Sequence, residues 1–555
     1  MQPITSLKQS LLVTSLAAIT LSSLNGCSPQ QDISNANEPS SKVIQSPEVV
    51  EAAPVILVES NMSYSKMAAP TSIRAPSPMP SIGTSVSNSE NYAEIERNAV
   101  HATHEQAFAT LSIDTDTGSY ANVRRFLNNG SLPPTDAVRV EELINYFNYD
   151  FKNAKKQGNA PFLVTTEVVK SPWHATNRIV KVGIKAEDVL AAKQIQPAAN
   201  LVFLVDVSGS MNSDDKLQLA KASLKMLTKQ LRAQDTITLI TYAGNTEVVL
   251  PATPGNQTQK ILNAIDNLSA NGSTNGEAAI KLAYQQAEEN FKKQGINRIL
   301  MLTDGDFNVG VSNVKDMLDI IRNNRDKGIS LSTLGFGQGN YNDHMMEQVA
   351  DNGNGNYSYI DSLSEAKKVL IDEMSSTFNT VAKDVKIQLE FNPASVSEWR
   401  LIGYENRLLA KEDFNNDKVD AGELGAGKSV VALFEVTPVG QKGLLDASRY
   451  QKTALTNKNN SELGYLKIRY KAPKSETSKL LTFPIANKVA TASAETKFAM
   501  AVAGYGQLLT GSKYVNDLNY KQVAGLAKSG LNSNVDKTGS RSEFIKLVEL
   551  ADGLQ

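Results

Sequence analysis

Apolar residues follow two different periodicities along this chain. From about residue 198 to 380, continuous apolar runs alternate with amphipathic helical segments, as in residues 201–205 followed by residues 214–231. Unbroken apolar runs are typical of strands that a parallel sheet buries on both faces. The alternation therefore predicts a doubly wound, Rossmann-like α/β domain with a mainly parallel sheet. Its further strands are expected near residues 235–243, 246–250, 297–303, 329–335 and 356–360, and its further helices near residues 256–267, 276–293, 311–326, 342–351 and 363–380.

Segments on both sides of this domain alternate between apolar and polar residues, which predicts antiparallel strands. They lie at residues 162–169 and 178–184 before it, and at residues 385–391, 430–436 and 463–470 after it. Strands on both flanks indicate that the α/β domain, residues 198–380, is inserted into a β-sandwich-like domain. That domain consists of residues 161–197 and 381–490, and we expect strands from its two parts to pair with each other.

The two ends of the folded region are predicted to be small and mostly helical. Residues 96–160 contain one strand pattern and two short helical patterns. Residues 491–555 contain two helical faces, formed by Phe498, Val502, Tyr505 and Leu509 and by Phe544, Leu547, Val548 and Ala551. An apolar face on each helix predicts that the C-terminal unit packs against the rest of the protein. The fold class is thus multi-domain α/β.

The first 95 residues predict an export signal and a disordered tether. Lys8 precedes an apolar segment at residues 11–21 that is too short to span a bilayer and is typical of a signal peptide. Cys27 follows Leu-Asn-Gly, which resembles the cleavage site of bacterial lipoproteins and implies a signal peptide at residues 1–27 and a lipidated Cys27. A signal peptide cleaved nearby, leaving a free thiol, is the alternative. Residues 28–95 are rich in Ser, Pro, Asn and Ala, which predicts disorder.

Charge and hydropathy exclude several classes of protein. The 555 residues carry 56 basic and 58 acidic side chains, a formal net charge of −2. No basic stripe with interleaved aromatic residues is present, so nucleic acid is not an expected partner. Beyond the N-terminal segment, no run approaches about 18 apolar residues, so no other segment is expected to cross a membrane. The single cysteine permits no internal disulfide.

Hydroxyl and carboxylate groups cluster where two of the predicted strands end. Asp206-Val-Ser208-Gly-Ser210 directly follows the first strand of the α/β domain. Thr274 lies in a small-residue loop before a helix, and Asp304 follows another strand. The carboxyl ends of parallel strands meet at one edge of a sheet, where ligands bind in this class of fold. These hard oxygen donors suit Mg²⁺, Mn²⁺ or Ca²⁺, although each residue type taken singly is also a common helix cap.

In this order, Asp-x-Ser-x-Ser, a loop Thr and a strand-end Asp are similar to the metal-ion-dependent adhesion site of the von Willebrand factor A (VWA) domain. The resemblance covers residues 198 to about 380. It implies a metal site formed by five residues, namely Asp206, Ser208, Ser210, Thr274 and Asp304. In that family the two serine hydroxyls bind the ion directly, and an open position on the ion accepts an Asp or Glu of a partner protein.

Three further segments resemble the YfbK-type bacterial VWA lipoproteins. They are Ser-Ile-Asp-Thr-Asp-Thr-Gly-Ser-Tyr-Ala-Asn-Val-Arg-Arg-Phe-Leu at 112–127, residues 412–427, and Gly-Gln-Leu-Leu-Thr-Gly-Ser at 506–512. Together with the VWA region, the resemblance covers most of residues 96–555. It implies the multi-domain architecture and does not supply an activity.

Two other motifs have a structural interpretation. Residues 422–429 match the phosphate-loop pattern, but the β-branched residues 430–436 predict that a strand follows, where a nucleotide site needs a helix. Nucleotide binding is therefore not expected. The pair Asp114 and Asp116 before Gly118 is interpreted as helix capping rather than as a Ca²⁺ loop.

The favoured function is a non-catalytic, lipid-anchored cell-envelope protein that recognises an envelope or extracellular protein through a metal-bound Asp or Glu of that partner. Ser28, directly after Cys27, resembles lipoproteins sorted to the outer membrane, with the body on the periplasmic or surface side. One alternative is a structural envelope lipoprotein whose metal site only stabilises the domain. A metal-dependent hydrolase is disfavoured because no histidine lies near the motif to act as a general base.

Overall fold

A computed structural model describes residues 89–151, 154–187, 197–272, 276–305, 314–373, 376, 378–446, 461–515, 517–531 and 536–555. These residues belong to the compact unit Gly83–Gln555. The predicted signal peptide, Cys27 and the tether as far as residue 88 lie outside them. No helix among the described residues is both long and apolar enough to cross a membrane.

Strands and helices alternate in the central part of the described chain and come in runs before and after it. The strands are β1 (His101–Ala102), β2 (Phe108–Ser112), β3 (Phe162–Lys170), β4 (Arg178–Ala186), β5 (Ala199–Asp206), β6 (Thr236–Tyr242), β7 (Thr246–Pro254), β8 (Ile296–Thr303), β9 (Ser330–Phe336), β10 (Tyr357–Ile360), β11 (Thr380–Phe391), β12 (Val396–Ile402), β13 (Leu424–Gly425), β14 (Ser429–Pro438), β15 (Glu462–Lys471) and β16 (Ser478–Ala486). The helices are α1 (Gly118–Asn128), α2 (Val140–Asn145), α3 (Leu219–Thr228), α4 (Thr258–Asp266), α5 (Gly276–Glu289), α6 (Val314–Arg325), α7 (Asp343–Asn352), α8 (Leu363–Lys367), α9 (Ala494–Leu509), α10 (Tyr520–Ser529) and α11 (Ser540–Gly553).

A six-stranded sheet forms the centre of the α/β domain, with the order β10-β9-β8-β5-β6-β7. Its first five strands are parallel, and β7 pairs antiparallel with β6 at the edge. Every residue of β5 is buried. Leu201 and Phe203 pack with residues of α3 and α4, whereas Val202 and Leu204 pack with residues of α5 and α6. Burial on both faces explains the unbroken apolar run, and the predicted fold class is confirmed.

Two antiparallel sheets form the β-sandwich. One has the order β1-β12-β14-β4-β3, and the other has the order β13-β11-β15-β16 with β2 also on β11. Val180 of β4 lies opposite Phe434 of β14, so a strand before the α/β domain pairs with one after it. Val182 of the first sheet and Leu389 and Ile468 of the second belong to one buried cluster between the sheets.

The helices near the two ends of the described chain share one core. Phe147, which follows α2, contacts Phe498 of α9 and Phe544 of α11 with ring centroids 4.9 and 5.7 Å apart. The predicted apolar faces of α9 and α11 lie in the same cluster, together with Tyr120 of α1. The N-terminal and C-terminal helical parts, separated by more than 300 residues in sequence, are therefore one structural layer.

Two predicted helices differ from those in the structure. The helix predicted over residues 363–380 is not continuous: Leu363–Lys367 leads into a π-helical turn, Lys368–Asp372, and residues 376 and 378 are helical again. β-Branched Thr380 already belongs to β11 and pairs with Gly425, so sheet pairing ends the helical segment before residue 380. The helix predicted over residues 214–231 also begins with a π-helical turn, Asp214–Gln218, and ends at Thr228.

Candidate metal site

Two adjacent parallel strands end in carboxylates at the same edge of the central sheet. β5 ends at Asp206, and β8 ends at Thr303, directly before Asp304. The strands are neighbours in register, with Val205 opposite Leu302. The side chains of Asp206 and Asp304 are both fully buried. The structure thus brings together two acidic residues that lie 98 positions apart in the sequence.

Hydrogen bonds to both oxygens hold the carboxylate of Asp206 in one orientation. Its Oδ1 accepts from the backbone N–H of Ser208 at 2.9 Å, and its Oδ2 accepts from Oγ1 of Thr303 at 2.8 Å. Thr303 Oγ1 in turn accepts from the backbone N–H of Gly305 at 3.0 Å. Thr303 therefore connects the two strand ends. The sequence pattern did not indicate Thr303 as a site residue, although its position directly before Asp304 places it next to the site.

The two serine hydroxyls lie side by side on the turn after β5. Ser208 Oγ and Ser210 Oγ are 3.0 Å apart, and the turn Gly209–Met211 between β5 and the following helix sets their separation. Ser208 is buried, whereas Ser210 is partly exposed. A pair of hydroxyls that faces partly outward can contribute oxygen donors to a bound cation.

The loop that contains Thr274 is attached to this turn. The backbone N–H of Asn271 donates to the carbonyl of Val207 at 2.7 Å, and the N–H of Gly209 donates to the carbonyl of Gly272 at 3.0 Å. The last described residue of this loop, Gly272, therefore contacts the turn, and Thr274 follows it by two positions in the sequence. Thr274 itself lies outside the described residues, so its predicted place in the site stays a prediction.

A lysine and an asparagine that the sequence did not reveal contact Asp304. Lys216 Nζ lies 3.0 Å from Asp304 Oδ2 and 2.7 Å from Asn340 Oδ1. Asn340 Nδ2 also donates to Asp304 Oδ2, at 3.1 Å. Lys216 is in the first turn of the amphipathic segment that follows the serines, and only this proximity in sequence could have indicated it.

The loop with Asn340 is held by the first described residues of the chain. Ser89 N–H donates to the carbonyl of Gly339 at 2.8 Å, and Gly339 N–H donates to Oε1 of Glu90 at 2.8 Å. Glu90 also forms an ion pair with Arg125 of α1 at 2.9 Å. The predicted tether, residues 28–95, therefore ends earlier than expected, because Ser89 and Glu90 contact the folded part and support a loop whose asparagine contacts the site.

The electrostatics of the site favour a cation. Burial and the nearby charge of Asp304 raise the pKa of Asp206 to about 6, although its hydrogen bonds with Ser208 and Thr303 oppose the shift. Among the described residues, no group of three or more His, Cys, Asp and Glu side chains has the arrangement of a metal site. The donor set here is instead two carboxylates and two hydroxyls, and an ammonium already stands at one carboxylate. These residues fit a divalent cation with a preference for oxygen ligands.

Comparison with known protein families places this site in a recognised domain. The von Willebrand factor type A domain family matches residues 200–372, and the von Willebrand factor family matches residues 86–181. The family described as "Uncharacterized protein YfbK, C-terminal" matches residues 376–554. The VWA domain indicates a role in protein–protein interaction or adhesion.

Individual proteins are also similar to this chain. "Uncharacterized protein YfbK" of Escherichia coli (strain K12) is 50% identical over 471 residues, covering 83% of this chain and 81% of the relative. "Uncharacterized protein sll0103" of Synechocystis sp. is 25% identical over 291 residues, covering 52% of this chain and 64% of that protein. Among solved structures, von Willebrand factor type A from Catenulispora acidiphila is 13% identical, with a TM-score of 0.40, and covers 72% of this chain and 91% of that one.

The similarity to YfbK covers most of this chain. Half of the aligned residues are identical, and the alignment covers more than four fifths of both chains. This chain belongs to the YfbK-like family of bacterial VWA proteins.

Proposed function

We propose that this protein is a non-catalytic binding module that recognises another protein through a divalent cation. The observation that supports this most is the pair of buried carboxylates, Asp206 and Asp304, beside two adjacent serine hydroxyls at the carboxyl edge of the sheet. Such a site has few anionic ligands and lies where α/β folds bind their ligands. Mg²⁺, Mn²⁺ and Ca²⁺ all suit these oxygen donors.

Each residue would have a distinct task. Ser208 and Ser210 would present their hydroxyl oxygens to the ion, with Thr274 completing the set from its loop. Asp304 would contribute negative charge, directly or through water, and Thr303 would keep Asp206 oriented by the 2.8 Å hydrogen bond. The bound ion would supply an electrophilic position that an Asp or Glu of the partner protein can fill.

The protein would act in the cell envelope. A lipidated Cys27 would anchor it, by our proposal in the outer membrane, and the segment 28–88 would separate the folded part from the membrane. As a flexible coil of about 60 residues, that segment would have a root-mean-square span of roughly 45 Å. The partner would then be an envelope or extracellular protein with an accessible carboxylate.

A purely stabilising metal site is the main alternative, and the complete burial of both carboxylates supports it. Hydrolysis has less support, because one candidate base, His174, lies in the turn between β3 and β4 of the sandwich, 2.7 Å from Glu435, and not among the residues at the carboxyl edge of the central sheet. The two leading functions differ in one observable. A binding module loses its partner when the site is changed, whereas a stabilising site loses only thermal stability.

An affinity purification from solubilised envelope fractions tests the proposal. The full chain serves as bait in Mg²⁺ and in EDTA, alongside the Asp304→Ala variant in Mg²⁺. Asp316→Ala is the matched control, because Asp316 is exposed on helix α6 of the same domain. We expect a protein that is retained by the wild type and the control in Mg²⁺ and lost in the other two samples. Equal recovery in all samples, or no specific protein in any, contradicts the proposal.

A further inference from the structure

Lys216 places a positive charge inside the candidate metal site. Its side chain is 8% exposed, and its ammonium lies 3.0 Å from the fully buried carboxylate of Asp304. A lysine is seldom buried to this extent unless it has a partner, because removal of an ammonium from water is costly. Here the partner is a residue that the proposed function assigns to the ion.

The fold fixes the position of this ammonium. Gly337 at the end of β9 has φ +76°, and a Cβ atom there would lie 2.3 Å from both Cγ and Cε of Lys216. The aliphatic part of the lysine thus fills space that only a glycine leaves open. Asn340 also accepts a hydrogen bond from the ammonium, with its Oδ1 at 2.7 Å. Lys216 therefore cannot leave Asp304 without disturbing its packing.

The lysine changes the charge of the site. Asp206 and Asp304 contribute two negative charges when both are ionised, and the Lys216 ammonium contributes one positive charge, so the three groups sum to −1. Without Lys216 the sum would be −2. Charges that are buried and close together interact strongly, because water screens them little.

We propose that Lys216 is a built-in counter-cation of the metal site, which pairs with Asp304 and lowers the affinity of the site for divalent cations. The proposal rests on the proposed function only in that the site binds such a cation. In the metal-free protein, Lys216 compensates a buried carboxylate that would otherwise be destabilising. In the presence of metal, its charge repels the incoming cation, so that the site fills only at a higher metal concentration than it would without Lys216. Lys216 is thus a positioning and tuning residue and not a ligand.

The affinity for metal alone tests this role without knowledge of any partner. Mg²⁺ and Mn²⁺ are titrated by calorimetry into the full chain and into the Lys216→Met variant, whose apolar side chain still fills the space beside Gly337. We expect the variant to bind at least about tenfold more tightly, because one like charge has been removed from the site. Lys229→Met, an exposed lysine just beyond the end of α3, is the matched control and should keep the wild-type affinity.

Thermal unfolding provides a second measurement on the same proteins. In EDTA, Lys216→Met should melt below the wild type, because Asp304 loses its ammonium partner. Saturating Mg²⁺ should raise its melting temperature by more than it raises that of the wild type. Lys216→Arg keeps the positive charge and should keep the affinity of the wild type.

The possible results separate the two proposals. Equal affinity of the wild type and Lys216→Met overturns the role of Lys216 and leaves the metal site intact. An equal gain in affinity for Lys216→Arg and Lys216→Met overturns it as well, because packing and not charge would then be the cause. If neither the wild type nor Lys216→Met binds metal, the proposed function itself fails. Binding by Lys216→Met but not by the wild type supports the inference in its strongest form.

Discussion

One arginine, Arg407, pairs with a group of three acidic residues. Arg407 forms ion pairs with Asp114, Asp116 and Asp351 at 3.3, 3.2 and 2.6 Å. Its side chain is 13% exposed, and the neighbouring carboxylates raise its pKa well above the usual value, although burial alone lowers it. These residues join the N-terminal segment, helix α7 and the sandwich. One side chain therefore stabilises the contact among three parts of the chain.

Replacement of Arg407 by Met should lower the free energy of unfolding by about 3–5 kcal/mol, because it leaves buried carboxylates without their counter-charge. Denaturant unfolding followed by circular dichroism measures the change. Arg322→Met removes a 41%-exposed arginine from an ion pair with Asp319 and should cost less than about 1 kcal/mol. Similar losses of unfolding free energy in the two variants would show that the burial of Arg407 and its partners does not increase their contribution to stability.

The hydroxyl of Thr303 provides a second residue-scale prediction. Thr303→Val keeps the shape of the side chain but removes the donor to Asp206 Oδ2, so Asp206 loses its orientation. We expect metal affinity, measured by calorimetry, to fall about 10–100-fold, as for other groups that orient metal ligands. Thr303→Ser keeps the hydroxyl and should bind as the wild type does. A Val variant with unchanged affinity would contradict this role of Thr303.

Residue types at short spacings indicated the candidate site, whereas contacts between residues far apart in the chain could not be predicted from the sequence. The motif placed Asp206, Ser208 and Asp304 at one edge of a sheet, where the structure has them, and their role as metal ligands stays a prediction. The prediction that Asp114 and Asp116 cap helix α1 is wrong. Asp116 accepts from the backbone N–H of Tyr357 at 2.9 Å, more than 200 residues away, and Asp114 pairs with Arg407. No local pattern indicates such contacts.

At the scale of elements, a glutamate of strand β14 forms hydrogen bonds with the turn between β3 and β4. Glu435 of β14 accepts from Asn177 Nδ2 at 3.1 Å and from Arg400 at 3.0 Å, and its Oε1 lies 2.7 Å from His174 Nδ1. The hydrogen bond to Glu435 raises the pKa of His174 above its usual 6.5, although burial opposes the shift. A charged histidine is therefore favoured in the folded protein.

This pair should make stability depend on pH. Because the folded pKa of His174 lies above the unfolded value, the stabilisation is complete below about pH 6.5 and is lost as the pH rises through the folded pKa. We expect His174→Gln to cost about 0.5–1 kcal/mol at pH 6 and close to nothing at pH 9. Unfolding free energies of both proteins at the two pH values measure this. An equal cost at both would exclude a protonated His174.

Periodicity located the elements well and their ends less well. The strand predicted at 297–303 is Ile296–Thr303 in the structure, because a strand buried on both faces is a continuous apolar run. The pattern at 430–436 predicted a strand after the phosphate-loop motif, and β14 is that strand. The start of the helix predicted at 363–380 agrees with the structure, whereas its C-terminal end is set by the sheet pairing of Thr380, which local propensity does not include.

At the scale of the whole molecule, residues from both ends of the described chain form one hydrophobic core. Phe544 of α11 packs against Phe498 at 5.5 Å and Tyr505 at 5.3 Å between ring centroids, and against Phe147 near the N-terminal helices. Separate N-terminal and C-terminal units were expected from the sequence. Their common core could not be predicted, because each apolar face shows only that a partner exists and not which one.

Phe544→Ala should therefore destabilise helices at both ends. We expect a loss of about 3–5 kcal/mol and faster hydrogen exchange in helix α1 as well as in α9, because the cavity lies in their common core. Leu550→Ala, a 44%-exposed position on the same helix, should change stability by about 0.5 kcal/mol or less. Faster exchange confined to the C-terminal helices would show that the two ends fold separately.

The central claim is that a divalent cation binds at the carboxyl edge of the central sheet. Crystals grown with Mn²⁺ and measured near the manganese absorption edge test it most directly. We expect an anomalous peak in contact with Oγ of Ser208 and Oγ of Ser210, and its loss in crystals of Asp304→Ala. A peak elsewhere in the protein, or none beside the two serines at saturating Mn²⁺, would contradict the claim.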